Sequence, residues 1–61
     1  MKWSEFTKLA KENGWIFERH GTKHDIYVHP HYEGLMQIER HGSAEIKNGL
    51  FKRLMKQVKG E

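Results

Sequence analysis

The chain reads as a small α+β domain with the element order α-β-β-β-α, and three observations carry that reading. An amphipathic segment closed by glycine stands at each end, three short runs rich in aromatic and β-branched residues lie between them, and turn signals mark the junctions. This order predicts a three-stranded antiparallel sheet with both helices on one face and the other face open.

Met1 to Gly14 has the helical period, with Phe6, Leu9 and Ala10 at i, i+3, i+4 spacing and Glu5, Lys8, Lys11 and Glu12 around the remainder. Ser4 is the predicted N-cap, Trp3 covers the helix entry, and Asn13-Gly14 stops the helix. Trp15 to Arg19 is the first strand, His20-Gly21-Thr22-Lys23 turns the chain with Gly21 free to take a positive φ, and His24 to His29 is the second strand. Pro30 to Gly34 forms the next turn, with glycine supplying the bend, and Leu35 to Glu39 returns as the third strand. Arg40 to Lys47 is loop. Asn48 then caps a second helix from Gly49 or Leu50 to Lys59, closed by Gly60. Leu50, Leu54 and Val58, with Phe51 and Met55 beside them, form its core stripe, and Lys52, Arg53, Lys56 and Lys59 its solvated basic back.

A chain of 61 residues holds one domain, 1–61, and its core is small. Eleven Lys and Arg against eight Asp and Glu leave a net charge of +3, which permits a polyanionic partner without demanding one. The absence of cysteine removes disulfide frameworks and zinc-thiolate sites and fits a reducing compartment. No apolar run approaches the ~20 residues of a membrane span, and the amino-terminal residues lack the apolar segment of a secretory signal. The expectation is a soluble cytoplasmic protein with no membrane association.

Five histidines call for an explanation: His20, His24, His29, His31 and His41. Most surface histidines have no role. A metal site built on His29-x-His31 with His24 lacks both cysteine and a helical His-x-x-x-His pair, so neither a metal nor a cofactor is expected. General acid-base chemistry on RNA fits better, because imidazole titrates near neutrality and RNA carries its own nucleophile, the 2′-hydroxyl. His24 falls where a loop becomes a strand, a junction that pairs a rigid backbone with a side chain free to meet substrate.

Gly21-Thr22-Lys23-His24-Asp25-Ile26-Tyr27, then His29-Pro30, Arg40-His41, Glu45-Ile46-x-x-Gly49 and Phe51-Lys52-x-Leu54-x-Lys56-Gln57, resemble over nearly the whole chain the HicA (YcfA-like) toxins, small mRNA interferases of bacterial toxin-antitoxin pairs. The resemblance implies a fold like that of double-stranded-RNA-binding domains, a catalytic histidine at His24, an mRNA substrate, and a HicB antitoxin seated over the active face. The toxin is then expected as a monomer when free and a hetero-oligomer with its antitoxin. Glu39 stands where the family often has proline, Leu50 where it often has threonine, and the turn after His29-Pro30 is slightly longer.

Strand alternation puts His24, Ile26 and Val28 on one side and Asp25, Tyr27 and His29 on the other. A catalytic His24 must reach solvent, which turns Tyr27 toward the helices and exposes Ile26 and Val28 as an apolar patch; the reverse, with Ile26 and Val28 buried, leaves His24 at the sheet margin. Arg19, Lys23 and Lys47, with the amino end of the second helix, are the residues placed for RNA phosphates. His20 and His41 are options for a second acid-base group. A non-catalytic RNA-binding module of the same fold is the alternative function, and Glu39 leaves room for a protein-interaction domain.

Overall fold

A computed structural model describes residues 1–60. The predicted order is present: α1 (Trp3–Glu12), β1 (Ile16–His20), β2 (His24–His29), β3 (Tyr32–Glu39) and α2 (Asn48–Val58). The strands form one antiparallel sheet in the order β1-β2-β3, so β2, which begins with His24, is central.

The helical stripes read from the sequence meet on one face of that sheet. Trp3, Phe6 and Ala10 of α1 pack with Trp15, with Tyr27, Met36 and Ile38 of the sheet, with Ile46, and with Leu54 and Val58 of α2. Phe6 and Met36 are fully enclosed, and each such side chain contributes about 1.5–3 kcal/mol by leaving water. Leu9, Leu50, Phe51 and Met55 are half-buried around this core. The Trp15 indole N–H donates to the Val58 carbonyl at 3.3 Å and so ties the start of the sheet to the last turn of α2.

The amino end of α1 differs from expectation. The helix begins at Trp3, one residue before Ser4, and Lys2 is the residue at its N-cap, its backbone N–H donating to Glu5 Oε1 at 3.1 Å. A serine cap is not needed because carbonyls of the 41–47 loop take the free amides: Trp3 N–H donates to Ala44 O and Ser4 N–H to Gly42 O, each at 3.0 Å. Ile46 N–H donates to Met1 O at 3.0 Å, and Lys2 bridges Glu45 in antiparallel fashion. The loop thus docks on the chain start and buries Ile46. In α2, Lys47 takes the cap position and Asn48 is already helical.

β3 starts at Tyr32, three residues before the predicted Leu35, because the hairpin turns over Pro30 and His31 alone. Pairing runs His24 to Glu39, Asp25 to Ile38, Ile26 to Gln37 and Tyr27 to Met36, then shifts before resuming at His29 and Tyr32. Glu33, Gly34 and Leu35 therefore lie opposite Val28, and Gly34 takes up the irregularity with φ +90°. The glycine bend is real, but it lies inside the strand. β1 has its own irregularity between Phe17 and Arg19, which leaves Glu18 as an extra residue and carries Arg19 onto the side of Ile26.

No helix among the described residues is long and apolar enough to cross a membrane.

A Cβ at either Gly34 or Gly49 meets no atom within 4 Å, yet the two positions predict opposite outcomes. Gly34→Ala forces an L side chain into the left-handed region and should lower stability by about 1–2 kcal/mol. Gly49→Ala, within α2, should raise it by up to about 1 kcal/mol. Urea denaturation followed by circular dichroism measures both; equal effects would contradict the assigned backbone.

Candidate active site

β2 presents its two sides unequally. Tyr27 points into the core with Met36 and Ile38, its ring edge-on to Phe17 at 5.7 Å. His24, Ile26 and Val28 accordingly occupy the open face, together with Leu35, Gln37 and Glu39 of β3 and Ile16 and Arg19 of β1. The orientation that brings His24 to solvent is the one adopted, and its side chain is 38 % exposed.

The expected exposure of Ile26 is corrected: it is only 6 % exposed. As a central-strand residue it is flanked by Arg19 and Gln37, and it packs on Gly21, where even a methyl group would come within 3.5 Å of its Cδ1. The apolar patch of the open face lies farther from His24, where Ile16 and Leu35 are 56 % and 47 % exposed and Val28 is half-buried.

The turn before His24 is tighter than glycine flexibility alone would explain. Gly21 N–H donates to the His24 carbonyl at 2.7 Å, leaving Thr22 and Lys23 as the loop. Gly21 does not have a positive φ, as the sequence reading allowed; the left-handed glycines are Gly14, Gly34 and Gly60. What requires glycine is proximity, since a Cβ at Gly21 would stand 2.8 Å from the His24 carbonyl oxygen. Arg40 reaches across from beyond β3, donating from its terminal nitrogen to Gly21 O and from Nε to Asp25 Oδ1 at 3.0 Å. His20 Nδ1 shares the same carboxylate oxygen at 2.7 Å. The turn that delivers His24 is therefore pinned from the face opposite the imidazole.

His24 lines three clefts. One, on the sheet, is lined by Gly21, Thr22, Lys23, Ile26 and Gln37. A second runs between β3 and α2, with Leu35, Gln37, Leu50, Arg53 and Gln57 along it. The third lies toward the docked loop and includes Glu39, His41, Lys47 and Leu50. The structure thus gathers Lys23 and Lys47 around His24. Arg19 shares the open face but lines none of these clefts, and its guanidinium contacts Glu18. Glu39, directly opposite His24 in the sheet, brings Oε2 to 3.5 Å from His24 Nε2, an ion pair whenever the imidazole is protonated.

The remaining histidines separate. His41 shares the third cleft with His24, whereas His20 is engaged with Asp25 on the helix side. His29, at the far end of β2 and on the other face from His24, has both ring nitrogens occupied: Nε2–H donates to Asn13 O at 2.9 Å and Nδ1 accepts from His31 N–H at 3.0 Å. It stacks on Tyr32 with centroids 4.1 Å apart. These contacts make it a joint between α1 and the second hairpin. Among the described residues no group of three or more His, Asp or Glu is arranged to hold a metal ion.

The family model described as the HicA toxin of bacterial toxin-antitoxin systems matches residues 3–59. The chain belongs to the HicA toxin family. No curated protein and no solved structure gives a significant match. The family makes the chain the toxin of a toxin-antitoxin system and implies an antitoxin partner.

Two residues beside the toxin's His24 were not assigned there from sequence. Arg53 belongs by periodicity to the solvated back of α2, yet it lines the cleft between that helix and the sheet. The signal available was its place three residues from Leu50 and four from Gln57, at the border of the apolar stripe. Gln37 lines two of the three clefts and is legible only through the pairing of β3 with β2.

The hydrogen bond from His20, and then that from Arg40, hold the Asp25 carboxyl below the usual aspartate range. A lowered folded-state pKa stabilises the fold above the unfolded value of about 3.9, and that contribution disappears as the pH falls through the lowered pKa. Thermal midpoints of the wild type should drop through this acid window more steeply than those of Asp25→Asn; parallel curves would contradict the network. Gly21→Ala should cost about 1–3 kcal/mol by overpacking the turn and shift the His24 resonances in a two-dimensional NMR spectrum, an effect that Thr22→Ala, in the exposed loop, should not reproduce.

Proposed function

We propose that this toxin is an endoribonuclease that cleaves mRNA, with His24 as the acid-base group. The observation that carries the reading is the convergence of three clefts on one half-exposed imidazole, with Lys23 and Lys47 lining two of them. A positively lined approach suits a phosphodiester backbone, and an imidazole beside it can move a proton near neutral pH.

The reaction needs no group beyond the chain, the RNA and solvent water. His24 takes the proton of a ribose 2′-hydroxyl, O2′ attacks the adjacent phosphorus in line, and the P–O5′ bond breaks. The leaving 5′-oxygen takes a proton from solvent or from His41, the second imidazole in that cleft. The products are a 2′,3′-cyclic phosphate and a 5′-hydroxyl. Glu39, 3.5 Å from Nε2, pairs with the imidazolium that forms once His24 has taken the proton.

The antitoxin implied by the family is, in this reading, a HicB protein that covers the open face. Ile16 and Leu35 offer it apolar area on the same side as His24, so one docked partner blocks the clefts and removes that surface from water.

His24→Ala should leave the fold intact and reduce RNA cleavage about 10²- to 10⁴-fold, the usual contribution of a positioned acid-base group. Purified protein incubated with RNA and a chelator should yield 2′,3′-cyclic ends. Cleavage by the variant at the wild-type rate, or 3′-hydroxyl ends, would reject the mechanism; RNA retention without product would make the toxin a binding module.

A further inference from the structure

The cleft between α2 and the sheet contains an arginine unlike the other two. Arg19 is paired with Glu18 and Arg40 with Asp25, whereas Arg53 has no carboxylate partner among the described residues. It is exposed, and it stands over the cleft that ends at His24.

The flank of α2 that carries it is fixed. Lys47, Leu50, Arg53 and Gln57 recur at spacings of three and four and so share one side of the helix. The neighbouring Leu54 is buried in the core, and Gln57 Nε2–H donates to the Leu35 carbonyl at 2.7 Å, which holds this side against β3. Leu50 lies between the two cations and lines both the Arg53 cleft and the Lys47 cleft, with His24 at their junction.

We propose that Arg53 binds a backbone phosphate of the RNA strand whose scissile bond lies at His24. The assignment rests on the nuclease reading and adds a residue to it. A guanidinium without a protein partner has its donor fork free for the bidentate geometry that phosphate oxygens accept. Lys47 stands at the cap of α2 and Arg53 in its second turn, so the two cations are set apart along the helix. The two cations can therefore take different phosphates of one strand, on either side of Leu50. Glu39 makes the arginine necessary. Its carboxylate beside His24 repels the backbone at the reacting position, and Arg53 supplies attraction on the side away from the docked loop.

Binding is measured by fluorescence anisotropy in the His24→Ala background, with a short unstructured RNA, over a series of salt concentrations. Arg53→Gln should weaken binding about tenfold and make the logarithmic salt slope shallower by about 0.7, the value for one phosphate contact on a single strand. Arg53→Lys should restore the slope but only part of the affinity. In otherwise wild-type protein, Arg53→Gln should raise KM and leave kcat within about twofold, as loss of a ground-state contact does. Lys52→Gln, one position along α2 and lining none of the three clefts, is the charge control and should change affinity less than about twofold. Thermal denaturation checks that each variant is folded. Unchanged affinity and slope in Arg53→Gln, or an equal loss in Lys52→Gln, overturns the assignment while inactivity of His24→Ala keeps the nuclease reading intact. Wild-type cleavage by His24→Ala removes His24 as the reacting group, and with it the assignment, which places the scissile bond there.

Discussion

The position of His24 depends on how closely the backbone of Gly21 approaches it. A 2.7 Å hydrogen bond closes the turn, and the His24 carbonyl oxygen stands 2.8 Å from where a Cβ would sit, with the Ile26 side chain in contact range beyond it. Two consequences follow from that one contact. Ile26 is buried on a face otherwise open to solvent, which gives the turn an apolar anchor. The His24 side chain, starting from a backbone fixed on both sides, has only its own rotamers left to choose. Arg40, Asp25 and His20 reinforce this from beneath, and since Arg40 follows β3 directly, the clamp joins both hairpins to one turn. Rigid support of this kind is what places a reacting group reproducibly without burying it.

The docked 41–47 loop is the second constraint. Its carbonyls take the first amides of α1, its Ile46 enters the core, and its His41 and Lys47 reach the His24 cleft. One segment therefore caps a helix, fills a gap in a small core and completes a wall of the site. In a domain of this size, where few contacts carry the fold, such sharing is economical: the loop is held in place by the interactions that stabilise α1, and the cleft inherits that order.

The core could be read from the sequence because it follows from periodicity, whereas the side of the sheet that His24 occupies could not, since both sides of β2 carry apolar atoms. Phe6 with Ala10, and Leu54 with Val58, declare the buried sides of the helices, while Tyr27 turns inward in the sequence only on the condition that His24 is an acid-base group that must meet water. What the sequence could not disclose came from contacts between distant segments. Ser4 looked like a cap because nothing local shows that Ala44 and Gly42 carbonyls arrive from the other half of the chain. Gly34 looked like a turn residue because a two-residue turn at Pro30 and His31 and a bulge at glycine leave the same local signature. Gly21 bends the chain in the sequence by its backbone freedom, whereas the structure requires glycine there because the His24 carbonyl, three positions on, leaves no room for a Cβ. Arg53 sits where the stripe of α2 gives way to its polar back, and periodicity alone cannot say which neighbour a border residue meets.

The two faces of the sheet divide the work of the molecule, and this bears on how its residues can change. Nearly all the apolar burial lies between the helices and the side of Tyr27, Met36 and Ile38. On the other side, Ile26 alone is deeply buried, while Gln37, Glu39, Leu35 and Ile16 have their side chains toward water or the clefts. Stability therefore makes few demands on the residues around His24, and exposed positions tolerate substitution at small energetic cost. Glu39 illustrates the freedom. A half-buried carboxylate stands 3.5 Å from the imidazole, attractive to its protonated form and repulsive to a polyanion. Whatever balance the site needs must then be struck among its own charges, on a surface that the helices neither cover nor require.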